Sequence, residues 1–438
     1  MTSRILLLAL ACFTALPSCK KKSGPPISVP HETEVQRTES VKAAFVDSPA
    51  AGGKVIDPSR PEHAELDAFF TKLGTAARKG DRKTYRECLS ADAMIRHLEA
   101  RGLVTFRTDR ERTSFLKGAE GSLGNSMNNM AFDRHVISRI EEIAPNQVMA
   151  FTRTFNNELQ ITIKMRWWLV KDAGAWRVYD LEELSQGTRA STMMGALVGG
   201  RTGKPEPWLA PFEQLAKSMQ DLSGDNMLEK FRELETHAEN VLRKSPPEEI
   251  EIIARHLLVS GRLTNGDAEG ALEEIGKLEK MTNVTPGLHL EKAAAFVALE
   301  KPVEARAAIQ AYVDILGWDS DVHEMMADAY ISEGNKKDAL DHALKGLADH
   351  KDALGCLASA AVASGAGGVG DLAKHFDATQ DSEAAYETAI DYSLEVEDEA
   401  VAKALVGMLK AKHPKSDLVE VYEDILSESA GEEMGEPE

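Results

Sequence analysis

Cysteine is scarce in this 438-residue chain. There are four, and two of them, Cys12 and Cys19, fall within the first nineteen residues. Only Cys88 and Cys356 remain for the body, in different expected domains. No disulfide framework follows from such a distribution, and both read as small buried apolar residues. Motifs for chemistry are missing as well. No Cys-x-x-Cys, His-Glu-x-x-His, serine elbow or glycine-rich dinucleotide loop occurs, so the sequence nominates no catalytic residue, no cofactor and no metal ligand. The run Gly199-Gly200-Arg201-Thr202-Gly203-Lys204 invites a phosphate-loop reading and fails it. Val198 stands where the first glycine is needed, and Pro205 replaces the hydroxyl that would hold magnesium.

Positive charge is short in the second half. Residues 186–438 hold 24 basic against 48 acidic residues, whereas the preceding part is close to balanced. Such an excess repels nucleic acid and anionic lipid, and it suits either a basic protein or peptide partner or a plainly solvated surface. The N-terminal apolar run, Ile5 to Leu16, is too short to span a bilayer, which needs roughly 20 residues. It follows Arg4 and suits a signal-peptide core.

Leu16-Pro17-Ser18-Cys19 follows that core, and Lys20-Lys21-Lys22 follows the cysteine. The run resembles a bacterial lipobox. Leu16 and Ser18 fit the pattern, and Pro17 departs from it. The resemblance implies cleavage after residue 18 and acyl chains on Cys19, with several chains giving stable anchoring. Cys12 is the rival, but it would leave an apolar core of only about seven residues, at the lower limit. Lys20 sits where inner-membrane lipoproteins often carry aspartate, which points to the periplasmic face of the outer membrane. Residues 20–61, punctuated by Pro25-Pro26, Pro30, Pro49, Gly52-Gly53, Pro58 and Pro61, read as a disordered tether.

Residues 62–185 read as an α+β domain. Leu66, Phe69, Phe70, Leu73 and Ala77 fall on one helical face, and Gly80-Asp81 interrupts the helix before Tyr85, Cys88 and Leu89. Two shorter helices are expected at 92–103 and 109–123. The period then changes to two, predicting strands at 132–143, 147–155, 159–170 and 175–181, the last two joined by Lys171-Asp172-Ala173-Gly174. Helices followed by an antiparallel meander, closed by the hairpin Met165–Lys171 and Gly174–Leu181, resemble the nuclear transport factor 2-like, cone-shaped superfamily. That resemblance covers about 120 residues and implies a curved sheet wrapped on helices. The superfamily includes isomerases and cyclases besides domains that only bind or dimerise. An isomerase-like site would draw on Asp92, Asp133, His97, His135, Tyr85 or Tyr179, yet no spacing pairs one with another. Trp167 and Trp168 point to opposite faces of one strand.

Residues 186–207 are rich in Gly, Ser and Thr and read as a linker with a helical turn near Met193-Met194. From Trp208 to residue 428 the pattern is helical, and it repeats. Ala271, Ala305 and Ala339 recur at 34, as do Arg255, His289 and His323, and Val259, Ala293 and Ala327. This period resembles the tetratricopeptide repeat, a stack of helix pairs. The clearest units are 252–285, 286–319 and 320–353. A fourth has a loose turn at Gly365–Gly370, and a fifth follows after a five-residue slip, with Ala402 in register. Arg255, His289 and His323 stand where the family keeps tryptophan, and the histidines read as packing or interface residues, not metal ligands. A capping helix near 417–427 and an acidic tail, 429–438, end the chain.

The expected fold is therefore mainly α, with an N-terminal α+β cone and a C-terminal α-solenoid. The expected function is an envelope-anchored lipoprotein that serves as a protein-interaction scaffold, with the α+β domain as a second binding or dimerisation surface. The alternative is a small-molecule-binding or enzymatic cone with the repeats as a docking arm.

Overall fold

The computed structural model describes residues 54–125, 130–156, 161–184, 187–199, 206–220, 227–281 and 285–432. The signal segment with Cys19, residues 20–53 of the expected tether, and the tail from 433 lie outside the described residues. The chain divides into two compact units, Met1–Leu288 and His289–Glu438.

The first unit begins with β1 (Lys54–Val55), which pairs with β2 at Glu141 and Glu142. Ile56 is buried beside it in the core. The end of the expected tether is thus part of the fold, because the Lys54–Val55 backbone extends the sheet edge and Ile56 enters the core. Helix α1 (Pro61–Arg78) starts on Pro61, whose missing N–H costs nothing at a first turn. It buries Leu66, Phe69, Phe70 and Leu73, and Gly80, at φ +66°, ends the segment. Asp81 caps α2 (Arg82–Glu87) by accepting from the Thr84 N–H, and Ser90 caps α3 (Ala91–Ala100) by accepting from Ala93. Helix α4 spans Asp109–Asn125.

Strands β2 (Arg134–Ala144), β3 (Gln147–Asn156), β4 (Ile161–Asp172), β5 (Ala175–Glu183) and β6 (Thr188–Arg189) complete a six-stranded antiparallel sheet in sequence order. One face packs on α1 through Val148, Ala150, Ile163, Met165, Trp167 and Leu169. Trp167 lies 5.4 Å from Phe70, centroid to centroid, and its indole N–H donates to Thr152 at 2.8 Å. At β5 the pairing steps from Trp168↔Asp180 to Leu169↔Val178. Tyr179 is therefore the extra residue of a bulge, and the side chains beyond it change face.

The expected linker is a correction. Residues 188–199 form β6 and α5 (Ala190–Gly199). Arg189, Ala190, Ser191, Met193 and Met194 are buried. Composition alone made this stretch look flexible. What orders it is hydrogen bonding of Arg189 and Ser191 to Asp180 and packing of the two methionines. Then follow α6 (Leu209–Gln220), α7 (Met227–Leu242), α8 (Glu248–Thr264) and α9 (Ala268–Leu278). Trp208, Phe212, Leu215, Leu234, Ile253 and Leu257 share one core with Met193. The Thr285 hydroxyl also donates to the Leu184 carbonyl at 2.8 Å. The first helices thus belong to the same compact unit as the sheet.

The second unit is helical: α10 (Leu288–Ala298, beginning on the last residue of the first unit), α11 (Pro302–Leu316), α12 (Ser320–Ser332), α13 (Lys336–Asp349), α14 (Leu354–Gly368), α15 (Ala373–Ala378), α16 (Ser382–Glu395), α17 (Glu399–Lys412) and α18 (Asp417–Glu432). Asp319, Asn335, Asp381 and Asp398 each cap a helix through the side chain. The glycine-rich turn expected at 365–370 is not loose. Gly365, at φ +66°, kinks α14, and a 3-10 turn (Val369–Leu372) buries Val369 and Leu372. Helix α18 runs to Glu432, past the expected start of the tail at 429. Leu354–Ala378 is long and apolar enough to cross a membrane by length and composition. Its run from Cys356 to Ala363 is packed into the helical core.

One local geometry recurs. Gly266, Glu300, Gly334 and Glu397 all have positive φ, at 81°, 55°, 76° and 59°. Five residues after each stands an alanine, Ala271, Ala305, Ala339 and Ala402, and all four are fully buried. The first three turns are 34 residues apart.

Candidate functional site

The bulge at Tyr179 builds the most polar interior of the first unit. In a regular strand Asp180 would share a face with Trp176 and Val178, which lie in the apolar core. Instead it faces α3, β6 and α5. The loop before α3 is fixed there because Ser90 N–H donates to the Val178 carbonyl at 2.8 Å and Val178 N–H to the Cys88 carbonyl at 2.9 Å.

Asp180 is fully buried and saturated. Its Oδ1 accepts from the N–H of Leu181 at 2.9 Å and of Ser191 at 3.0 Å. Its Oδ2 accepts from Arg189 Nε and from the Ser191 hydroxyl, both at 2.6 Å. His97 Nε2 lies 3.2 Å from Oδ2 and 2.9 Å from Arg189 Nη2. Burial works to raise the carboxyl's proton affinity. The Arg189 charge, the His97 contact and the Arg101 charge outweigh it, and the net shift is well downward. Asp180 is thus a fixed anion that organises donors, a poor proton carrier at neutral pH.

Around this hub the charges pair off. Arg166 Nε donates to Glu182 at 2.6 Å. The guanidiniums of Arg189 and Arg166 lie 3.8 Å and 4.8 Å from the centroid of the Trp168 ring, a cation–π arrangement. Arg101 Nη1 donates to the Ser191 hydroxyl at 2.7 Å and stands 3.8 Å from Glu249. Arg101, Glu182, Arg189, Thr192, Glu248 and Glu249 line a cavity of about 50 Å³. That is room for a few waters, since one needs about 10–15 Å³.

The residues expected for an isomerase-like site are scattered, with one exception. Asp92 pairs with Arg96 and Arg112. Asp133 pairs with Arg78 and His135 with Asp67, on the side of α1. Tyr85 is buried in the apolar core. His97 and Tyr179 do meet, ring against ring at 5.2 Å. Asp180, Arg189 and Ser191 escape sequence reasoning, since alternation places Asp180 on the wrong face and composition assigns the other two to a linker.

Cys88 and Cys356 are free and buried, and burial raises both thiols' proton affinity, as expected for inert packing residues. Among the described residues, no group of three or more His, Cys, Asp or Glu side chains is arranged to hold a metal ion. No protein-family model matches the chain, and no curated protein or solved structure is significantly similar to it.

Proposed function

We propose that this chain is an envelope-anchored bacterial lipoprotein that acts as a protein-interaction scaffold. The observation that carries the reading is the recurring turn: a left-handed residue, then five positions on a fully buried alanine, four times over. The regular 34-residue spacing of the first three supports a degenerate tetratricopeptide array, in which each helix pair cannot bury its apolar face alone and stacks on its neighbour. Such arrays present an extended surface to a peptide or protein. The acidic excess of residues 186–438 favours a basic one. The α+β domain, of cone-shaped nuclear transport factor 2-like type, adds a second binding or dimerisation surface. The pairing of Arg166 with Glu182 and of Arg189 with Asp180, packed on Trp168, supports a binding role, since these charges hold one another and leave only a cavity of about 50 Å³. Cys19 carries the anchor in this reading, and the outer membrane is its place.

Two experiments test it. Full-length protein exposed to an immobilised peptide library should retain basic segments with an affinity that falls as salt rises, and Ala339→Trp should weaken retention. Retention of no peptide, or equal retention by the variant, would sink the scaffold reading. For the anchor, fatty-acid labelling in a bacterial host should mark wild type, and Cys19→Ser should lose label and leave the membrane fraction. A Cys19→Ser protein still labelled and membrane-bound would exclude Cys19.

A further inference from the structure

Helices α12 and α13 are joined by an unusual contact. His323 Nδ1 and His342 Nδ1 lie 3.0 Å apart, one donating to the other. The ring centroids are 5.2 Å apart, almost the full nitrogen–nitrogen distance plus the two ring radii, which is the most that contact allows. The two nitrogens therefore point almost straight at each other. That geometry fits one shared proton. It does not suit a chelated metal, whose two ligands must converge at an angle on a third atom.

The pair is clamped by aromatic rings. Trp318 stacks on His323 at 4.7 Å and 12° and lies 5.1 Å from His342. Tyr330 stacks on His342 at 5.7 Å, and the Arg306 guanidinium from α11 lies 4.7 Å from the centroid of the Tyr330 ring and pairs with Glu333. Close packing leaves the rings little freedom. A Cβ on Gly346 of α13 would come 3.1 Å from the His323 Cβ and 2.3 Å from the Cys356 sulfur of α14.

We propose that the His323–His342 pair is an acid-operated latch, closed while a single proton sits between the two Nδ1 atoms and opened when both rings are protonated. A neutral pair has one Nδ1–H and one lone pair between the rings. A singly protonated pair can keep that arrangement, because the added proton goes to an Nε2. A second proton leaves two N–H groups and two positive charges face to face at hydrogen-bond distance, with Trp318 and Tyr330 blocking escape. The hairpin must then loosen.

The surrounding charges set where this happens. Burial lowers the proton affinity of both rings, His342 and Lys345 lower His323 further, and Asp341 and Asp349 act against this, bringing His323 to about 4. His342 is lowered by burial and by Lys345, with Asp341 and Asp338 opposing. Helix α14 offers the neutral Cys356 thiol. The latch is therefore shut at neutral pH and opens as pH falls toward about 4.

The test uses the intact protein. Imidazole ¹⁵N spectra at pH 7 should show one of the two rings protonated at Nδ1. Between pH 7 and 4, amide exchange in α12 and α13, corrected for intrinsic rates, should rise at least tenfold and reversibly. Trp318 fluorescence should fall over the same range. His342→Gln, whose amide can accept from or donate to His323, should remove the transition while the other helices keep their protection. If both rings are neutral Nε2–H tautomers at pH 7, with neither Nδ1 protonated, no proton is shared and the latch does not exist. An unchanged transition in folded His342→Gln, or flat exchange in wild type, would equally overturn it.

Discussion

Replacing Asp180 by alanine tests the hub of the first unit most directly. The carboxylate is fully buried, and the Arg189 side chain against it is only 6% exposed. Truncation would remove the carboxylate that the Arg189 guanidinium and the Ser191 and Leu181 donors share. Stranding one member of a buried ion pair typically costs about 3–5 kcal/mol. Asp180→Asn keeps the shape and some acceptor capacity, and it should cost less, about 1.5–3 kcal/mol for the lost charge-assisted bonds. Four of the five tryptophans, Trp167, Trp168, Trp176 and Trp208, belong to this unit, so urea unfolding followed by fluorescence reports chiefly on it. With a slope of about 2–3 kcal/mol/M for a unit of this size, the alanine variant should shift its midpoint down by about 1–2.5 M. Adding Arg189→Leu removes the stranded charge and should recover at least about 1 kcal/mol. A shift under about 0.3 M, or strict additivity in the double variant, would refute the reasoning. The pH dependence follows the same sign. The folded carboxyl holds its proton less tightly than the unfolded one. Its contribution is therefore complete above the unfolded pKa of about 3.9 and is lost as pH falls below that.

Three further outcomes are expected. Ala339→Trp should destabilise the second unit by about 1–3 kcal/mol through overpacking, while the exposed Lys337→Trp on the same helix should melt like wild type; equal melts would break the 34-residue register. Glu300 and Glu397 are non-glycine residues held at φ 55° and 59°, so Glu300→Gly and Glu397→Gly should leave stability unchanged or raise it by up to about 1 kcal/mol, and a clear loss in thermal melts would contradict the turn geometry. Asp328, partly buried between Ser359 and Tyr392, which donate to it at 2.7 and 2.8 Å, has its proton affinity raised by burial, with the Glu395 charge acting in the same direction and the two hydrogen bonds against it. Wild type should accordingly lose stability as pH rises from the unfolded pKa of about 3.9 through the raised folded value, and Asp328→Asn should abolish that dependence; identical pH profiles would show the carboxylate is not desolvated.

The sequence by itself determined most of the elements and their order, though not β1, β6 or α5. Period-two alternation located β2 to β5 within a few residues, because one face of each strand must be apolar. The apolar face of α1 and the break at Gly80-Asp81 were legible for the same local reason. So was the 34-residue register, since small residues recur wherever two helices must approach closely. What only the tertiary structure decided depends on residues far apart in the chain. The bulge at Tyr179 turns Asp180 from the apolar face to the polar one, and no local pattern announces it. Arg189 and Ser191 sit in a stretch whose composition says linker, and they are ordered only because a buried carboxylate requires their donors. His323 and His342 are 19 residues apart on two helices, and their meeting nitrogen to nitrogen depends on the rotation of each helix about its axis, which Trp318, Tyr330 and the close approach at Gly346 fix together.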